Sequence, residues 1–156
     1  MLSITGFNSA CFYRYACIDF NQLVNNLNGD MALARKTVEA FLRASVHAIP
    51  TGKQKSFAAQ NPPSFLMAVA REDGQCWSLA NAFEKPVYIG GHKSLVQASI
   101  GALDTYWGKL VGFYGSSAKP VVACLDGDET LDSLKNALVG SLDQWTETVI
   151  NALPQE

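Results

Sequence analysis

The chain has 156 residues, of which 48% are hydrophobic and 17% are charged. This composition excludes an intrinsically disordered protein, and the length predicts a single domain, residues 1–156, with a substantial core. Its net charge is −2, so the chain lacks the overall excess of basic residues that is typical of proteins that bind the phosphates of nucleic acid. No apolar run approaches the roughly 18 residues of a membrane span and no signal-peptide pattern is present, so a soluble, cytoplasmic protein is predicted.

The first predicted element is a strand at residues 10–19, whose two faces are both largely apolar. Alternation places Phe12 and Arg14 on one face and Tyr13 and Tyr15 on the other. We therefore expect this strand to be covered on both sides, with its aromatic rings in the core. Arg14 has two interpretations, since it can help to stack nucleotide bases beside Phe12 or can pair with a carboxylate or a carbonyl group.

Helical and strand patterns alternate along the rest of the chain. Helices are predicted at residues 21–27, from a cap at Asp30 to about 48, at 94–113 and at 130–153, and strands at 65–70, 76–79 and 120–125. Three longer helices and a few strands predict an α/β (α+β) fold in which a small sheet packs against about three helices.

The residue types that commonly take part in catalysis give little support for an enzymatic function. The cysteines have no paired spacing and predict reduced, mostly buried thiols: Cys11, Cys17, Cys76 and Cys124. Neither histidine has a recognisable catalytic partner, and the nucleophile-elbow, zinc-protease and phosphate-loop motifs are absent from the sequence. The acidic stretch at 126–129 predicts a turn and a helix cap. We therefore predict no catalysis, no cofactor and no metal site.

Two short segments next to glycines combine basic and polar side chains. Each is a candidate for contact with nucleic acid or with another subunit, because a glycine lets a phosphate backbone approach closely. Each is also consistent with an ordinary solvated turn. The candidate residues are Lys53, Gln54, Lys55, His92 and Lys93, to which Arg14 is added from the first strand.

Four segments in one order resemble the C-terminal part of the CasC family, the backbone subunit of the type I-E CRISPR Cascade complex. They are FNSACFYRYACIDFNQLVNNL, IPTGKQKSFAAQNPPSFLMAVAR, SLANAFEKPV and ALDTYWGKLVGFYG, and the resemblance covers about residues 5–115. The family's G-x-K-Q-[RK] loop matches Gly52 to Lys55 in part. The basic residues that follow NAFEK in the family are replaced here by Pro86, Tyr88, Gly90 and Gly91.

The resemblance implies a partial palm related to the RNA-recognition (ferredoxin-like) fold, from a subunit that polymerises along CRISPR RNA and is not a nuclease. It also implies that the chain corresponds to the C-terminal half of such a subunit, without the N-terminal half and the thumb. An open sheet edge would then be available for a partner or for self-association into a homo-oligomer.

Two functions follow from the resemblance. The first is a truncated mimic that binds Cascade subunits, holds CRISPR RNA weakly at most, and inhibits assembly or target binding as an anti-CRISPR protein does. The alternative is a split host subunit that helps to hold CRISPR RNA during antiviral defence. Both place the protein in the cytoplasm of a bacterial host cell.

Overall fold

The computed structural model describes residues 10–48, 60–72, 74–91, 93–126 and 128–155, and the following account concerns these residues. They form four α-helices and three strands, which confirms the predicted α+β class. In chain order the elements are α1 (Phe20–Asn26), α2 (Met31–His47), β1 (Phe65–Ala70), α3 (Leu95–Tyr114), β2 (Lys119–Cys124), β3 (Leu138–Val139) and α4 (Leu142–Asn151).

The three strands form one small mixed sheet in the order β1-β2-β3. β1 and β2 are antiparallel, with Phe65 opposite Cys124 and Ala70 opposite Lys119, and β3 joins β2 in parallel. Both long strands begin and end within one residue of the predicted bounds.

The sheet lies between two helical layers, because each of its faces buries a separate hydrophobic cluster. One face packs on α3 and on the loop that precedes β3, around Leu79, Ile100, Leu103, Trp107, Val122, Leu131 and Leu134. The opposite face packs on α2 and α4, around Val38, Leu42, Val121, Trp145 and Val149. Full burial of each such side chain contributes roughly 1.5–3 kcal/mol to the free energy of unfolding.

The helices begin where side-chain caps satisfy their first backbone N–H groups. Asp30 accepts a hydrogen bond from the Leu33 N–H at 2.8 Å, as its position before α2 predicted. Ser94 and Gln97 form a reciprocal capping box at α3, and Ser141 caps α4. In the part of the chain that the structure describes, no helix is both long enough and apolar enough to cross a membrane.

The predicted strand at residues 10–19 is wrong. These residues form no regular secondary structure and pair with no strand among those described, and their side chains are exposed rather than covered. Phe12 is 82% exposed. Apolar alternation produces a core strand only where a neighbouring strand completes the hydrogen-bond ladder, and here individual side chains hold the segment instead.

Two other predicted elements are corrected. Residues 76–79 form no strand, and the last helix begins at Leu142 rather than near residue 130. Leu131 and Leu134 are buried as their spacing predicted, but Leu131 follows a short 3₁₀ turn and Leu134 lies in a bend. The cause is tertiary, since the Asp104 carboxylate on α3 accepts hydrogen bonds from the backbone N–H groups of residues 132, 133 and 134.

The prediction of four reduced, mostly buried thiols is also wrong. Cys17 and Cys76 form a disulfide with their Cα atoms 6.4 Å apart, Cys11 is exposed and Cys124 is half-buried. The two paired cysteines are separated by 59 residues, and sequence spacing gives no sign that the fold brings them together.

Candidate functional site

Residues 10–19, here called the aromatic segment, are bound along the edge of the α3 layer by two contacts. The Tyr13 hydroxyl accepts a hydrogen bond from the Leu79 N–H at 2.9 Å, and its ring packs against Phe83 with centroids 5.8 Å apart. The Cys17–Cys76 disulfide adds a covalent link to the same stretch. The segment therefore has a fixed course over the surface while Phe12 remains exposed.

Arg14 holds the other side of the aromatic segment, at the C-terminal end of α2. Its Nη1 donates to the Ala48 carbonyl at 2.7 Å and its Nη2 donates to the Ser45 carbonyl at 2.7 Å. A cation is favourable here because the last carbonyl groups of a helix carry partial negative charge. The carbonyl-pairing interpretation of Arg14 is thereby confirmed, and its donors are directed at the helix rather than at a ligand.

Replacement of Arg14 by glutamine tests this structural role. We expect the free energy of unfolding to fall by about 1 kcal/mol, because a charged pair of hydrogen bonds at an exposed helix end is lost. We also expect unchanged affinity for single-stranded RNA, measured by fluorescence anisotropy beside urea denaturation. Lys36→Gln, which removes one positive charge from an exposed position on α2, is the control. Unchanged stability with reduced RNA affinity would contradict the assignment.

Of the other predicted site residues, Lys93 alone lies in the part of the chain that the structure describes. Lys53, Gln54, Lys55 and His92 lie outside the described residues, so their role stays a prediction. Lys93 is exposed, directly before the N-cap of α3. Arg14 contacts the C-terminal end of α2, whereas Lys93 stands before α3, and these two helices cover opposite faces of the sheet.

A cleft that the sequence did not predict opens where β1 ends and α3 ends. It has a volume of about 380 Å³ and is lined by Arg71, Trp77, Tyr114, Gly115, Ser116 and Ser117, here called the Arg71 cleft. The Arg71 guanidinium carbon lies 4.0 Å from the centre of the Trp77 ring. The Trp77 ring in turn contacts Trp107 at 5.8 Å and Tyr114 at 5.9 Å, measured between centroids.

The Arg71 guanidinium is incompletely satisfied. Its Nε and Nη1 atoms are buried and have no hydrogen-bond partner within the described ranges. An unpaired buried donor costs about 1–3 kcal/mol, and more when it is charged, so such a group is a sign of strain or of a binding role. The sequence did place Arg71 after a strand and Tyr114 at a helix end, but only the tertiary structure shows that the two ends meet.

Other chemistry is sparse in the residues that the structure describes. Burial raises the pKa of the Cys124 thiol, which also donates a hydrogen bond to the Asp126 carbonyl, and a protonated thiol is a poor nucleophile. The acidic turn after β2 faces α3, where Gln97 Nε2 donates to Asp126 and Glu129 at 3.1 and 3.2 Å. No group of three His, Cys, Asp or Glu side chains that could hold a metal occurs in these residues.

Comparison with known proteins assigns the family. A family model described as CT1975-like protein matches residues 1–149. The chain belongs to the CT1975-like family. No curated protein sequence matches this CT1975-like chain.

Solved structures similar to this CT1975-like protein come from CRISPR complexes. A chain of a "CRISPR RNA-guided surveillance complex" is 27% identical with a TM-score of 0.73, over 86% of this chain and 50% of that one. A chain of a "CRISPR RNA-guided surveillance complex, pre-nicking" is 27% identical with a TM-score of 0.77, over 86% of this chain and 35% of that one. The chain therefore spans half or less of the length of these relatives.

These findings confirm the resemblance to Cascade components that the four sequence segments indicated. The chain is a Cascade-related CRISPR protein, and its fold is that of part of a surveillance-complex chain. Its assignment to the type I-E backbone subunit in particular stays a prediction.

Proposed function

We propose that this CT1975-like protein is a non-enzymatic binding protein whose partners are subunits of a Cascade-type surveillance complex. The observation that carries the proposal is the match, at a TM-score of 0.73 over 86% of the chain, to a chain that works inside such a complex. The match covers 50% of that chain, so this protein shares the fold of part of a complex subunit and can present the corresponding surfaces to neighbouring subunits.

The surface of the aromatic segment supports docking onto protein. Phe12 is almost fully exposed, and Tyr15 and Ile18 are also exposed large side chains on the same short stretch. Aromatic side chains are enriched at protein interfaces, where their burial contributes much of the affinity. Among the described strands, β1 pairs only with β2, so its outer edge is a second candidate for contact with a partner.

The charge of the protein supports competition with a working subunit of the complex rather than tight binding of RNA. With 12 basic against 14 acidic side chains, the chain lacks the excess of cations that neutralises a phosphate backbone. We therefore propose that the docked protein occupies the place of a working subunit and lowers target capture, as an anti-CRISPR mimic does. The second candidate, favoured by the structural match itself, is a building part of the complex that helps to hold CRISPR RNA during antiviral defence.

The docking proposal is tested by co-expressing the tagged protein with a complete Cascade complex that targets a phage. We expect the complex to copurify with the tag. A Phe12→Ser and Ile18→Ser double variant should reduce copurification at least about tenfold, because two exposed apolar contacts are lost. The control is Tyr88→Ser with Ile89→Ser, which removes two large exposed side chains elsewhere on the surface.

The two roles are distinguished in two bacterial strains, one with an intact complex and one that lacks the corresponding subunit. A mimic raises phage plaque counts on cells that carry an intact complex, and unchanged plaque counts despite copurification would contradict it. A building part instead restores an RNA-bound complex in cells that lack the corresponding subunit, when the rest of that subunit is supplied as a second chain. Absence of copurification in both strains would contradict docking altogether.

A further inference from the structure

We propose that the Cys17–Cys76 disulfide is a reversible thiol–disulfide switch, which fixes the aromatic segment to the body of the protein when oxidised and releases it when reduced. The switch is a property of the protein by itself, so it does not depend on whether the protein docks onto a Cascade complex.

The disulfide lies where small thiols can reach it. Both Cys17 and Cys76 are exposed, and no side chain of the aromatic segment is buried. Exposed disulfides are the labile and regulatory ones, whereas buried structural disulfides resist reduction. The Cα atoms are 6.4 Å apart, within the range that a disulfide spans, so the bond closes again whenever the segment returns to its place.

Both ends of the disulfide are attached to parts of the body that have their own core. On one side, Trp77 directly follows Cys76 and packs against the hydrophobic cluster of α3. On the other side, α1 begins soon after Cys17, with Asp19 as its N-cap and Phe20 packed against the cluster of α2 and α4. Reduction therefore leaves the two helical layers in place, and only residues 10–17 can separate from them.

Without the disulfide, the contacts that the structure gives to this segment are all made at the surface. They are the two hydrogen bonds of Arg14 and, at Tyr13, one hydrogen bond and one ring contact. Hydrogen bonds at an exposed surface compete with water, and segments with few buried contacts open locally while the rest of a protein stays folded. The covalent bond is therefore the contact that keeps the segment on the body.

Reduction requires two molecules of a low-molecular-weight thiol such as glutathione. The thiolate of the first attacks one sulfur of the Cys17–Cys76 bond, so that this bond breaks, a mixed disulfide forms and the other cysteine leaves as a thiolate. The thiolate of the second attacks the glutathione sulfur of the mixed disulfide, which forms glutathione disulfide and frees the second cysteine. The two glutathione thiols are oxidised, the protein disulfide takes up their two electrons, and their two protons pass to the cysteine thiolates. Glutathione disulfide closes the bond by the reverse reaction.

The switch acts on the part of the surface that carries Phe12, Tyr15 and Ile18, which are all exposed. In the oxidised protein these side chains extend from a backbone that is fixed on both sides, so little conformational entropy remains to be lost when they are covered. In the reduced protein the same side chains belong to a detached segment. The redox state therefore determines whether this apolar surface is ordered in advance.

The first measurement identifies the bond. The protein is equilibrated with excess glutathione disulfide or with excess reduced glutathione, then alkylated with N-ethylmaleimide in urea, digested and analysed by mass spectrometry. We expect Cys17 and Cys76 to be linked to each other in the first sample and both alkylated in the second. Transfer of the reduced protein back to glutathione disulfide should restore the link.

The second measurement is limited proteolysis with trypsin, which reports the position of the segment. Trypsin must bind the Arg14 side chain in its own pocket, so it cleaves after Arg14 only when the guanidinium has left the carbonyl groups at the end of α2. We expect this cleavage to be at least about tenfold faster in the reduced protein. Cleavage after Lys135, which is exposed in a 3₁₀ turn of the body, is the internal control and should change less than about twofold.

Two variants assign the effect to the disulfide. The double variant Cys17→Ser with Cys76→Ser should show fast cleavage after Arg14 under both conditions. Cys11→Ser, at an exposed cysteine outside the bond, should keep the full response. Circular dichroism checks the fold of each variant, and if the double variant does not fold, the two redox states of the unchanged protein decide.

Three results would overturn the proposal. The first is that glutathione disulfide does not link Cys17 to Cys76, and the second is that the link persists in the folded protein under excess reduced glutathione. The third is that reduction leaves cleavage after Arg14 within about twofold, or raises cleavage after Lys135 equally, because then the segment is not released by itself. None of these measurements involves Cascade, so the docking proposal is tested separately.

Discussion

Replacing Asp104 by alanine is expected to lower the free energy of unfolding by about 3 kcal/mol or more. Its side chain is 2% exposed, and its carboxylate accepts hydrogen bonds from the N–H groups of residues 132, 133 and 134 at 3.1, 3.1 and 2.8 Å. Alanine would leave these donors without their acceptor beside a hydrophobic cluster. Urea denaturation measures the change.

Two further variants separate the contribution of the carboxylate from that of the loop. Asp104→Asn keeps the size of the side chain but loses its charge and one acceptor, so we expect a smaller loss than with alanine. Asp132→Ala changes an exposed aspartate of the same loop, which contributes its backbone rather than its side chain, and should cost less than about 0.5 kcal/mol. Equal losses for Asp104→Ala and Asp132→Ala would contradict this account.

Replacing Trp145 by alanine is expected to cost about 3–5 kcal/mol, the range for a large aromatic residue removed from a core. Trp145 is the largest side chain in the cluster that joins α2 and α4 to the sheet. Its Nε1 also donates to the Val121 carbonyl at 3.0 Å, so it combines packing with a buried hydrogen bond. Thermal and urea denaturation, each followed by circular dichroism, measure the loss.

The hydrogen bond of Trp145 is measured separately with Trp145→Phe. Phenylalanine keeps most of the packing but leaves the Val121 carbonyl unpaired, for which we expect about 1–2 kcal/mol. Tyr88→Ala, at a residue that is 79% exposed, is the control and should have almost no effect. A loss below about 1 kcal/mol for Trp145→Ala would show that α4 does not stabilise the sheet as described.

The aromatic segment and the Arg71 cleft are neighbours, because the disulfide joins Cys17 to Cys76, which directly precedes Trp77. The aromatic segment is fixed to the body by Tyr13, Arg14 and the Cys17–Cys76 disulfide, while Phe12 stays exposed for contact with protein. The Arg71 cleft lies where β1 and α3 end and offers an unpaired guanidinium.

The site was harder to predict than the family. Four sequence segments indicated a Cascade component, and the comparisons confirmed that level of assignment. Arg14 was one of six candidate residues, and the structure directs it to helix carbonyl groups. Arg71 was not among the candidates, because a single arginine after a strand has no distinguishing pattern until Trp77 and Tyr114 are brought beside it.

The sequence by itself determined the elements whose signals are local. The stripe of Ala34, Val38, Leu42 and Val46 and the Asp30 cap define α2, and the runs of apolar residues define β1 and β2, because helical and strand periodicity act over a few residues.

Tertiary structure decided the elements that depend on distant partners. Asp104 turns residues 131–137 into bends and 3₁₀ turns where a helix was expected, and the aromatic segment remains outside the sheet because it is held by side chains rather than by a neighbouring strand. Local periodicity shows which side chains are apolar. The hydrogen-bond partner of each backbone group depends instead on contacts between residues that are far apart in the chain.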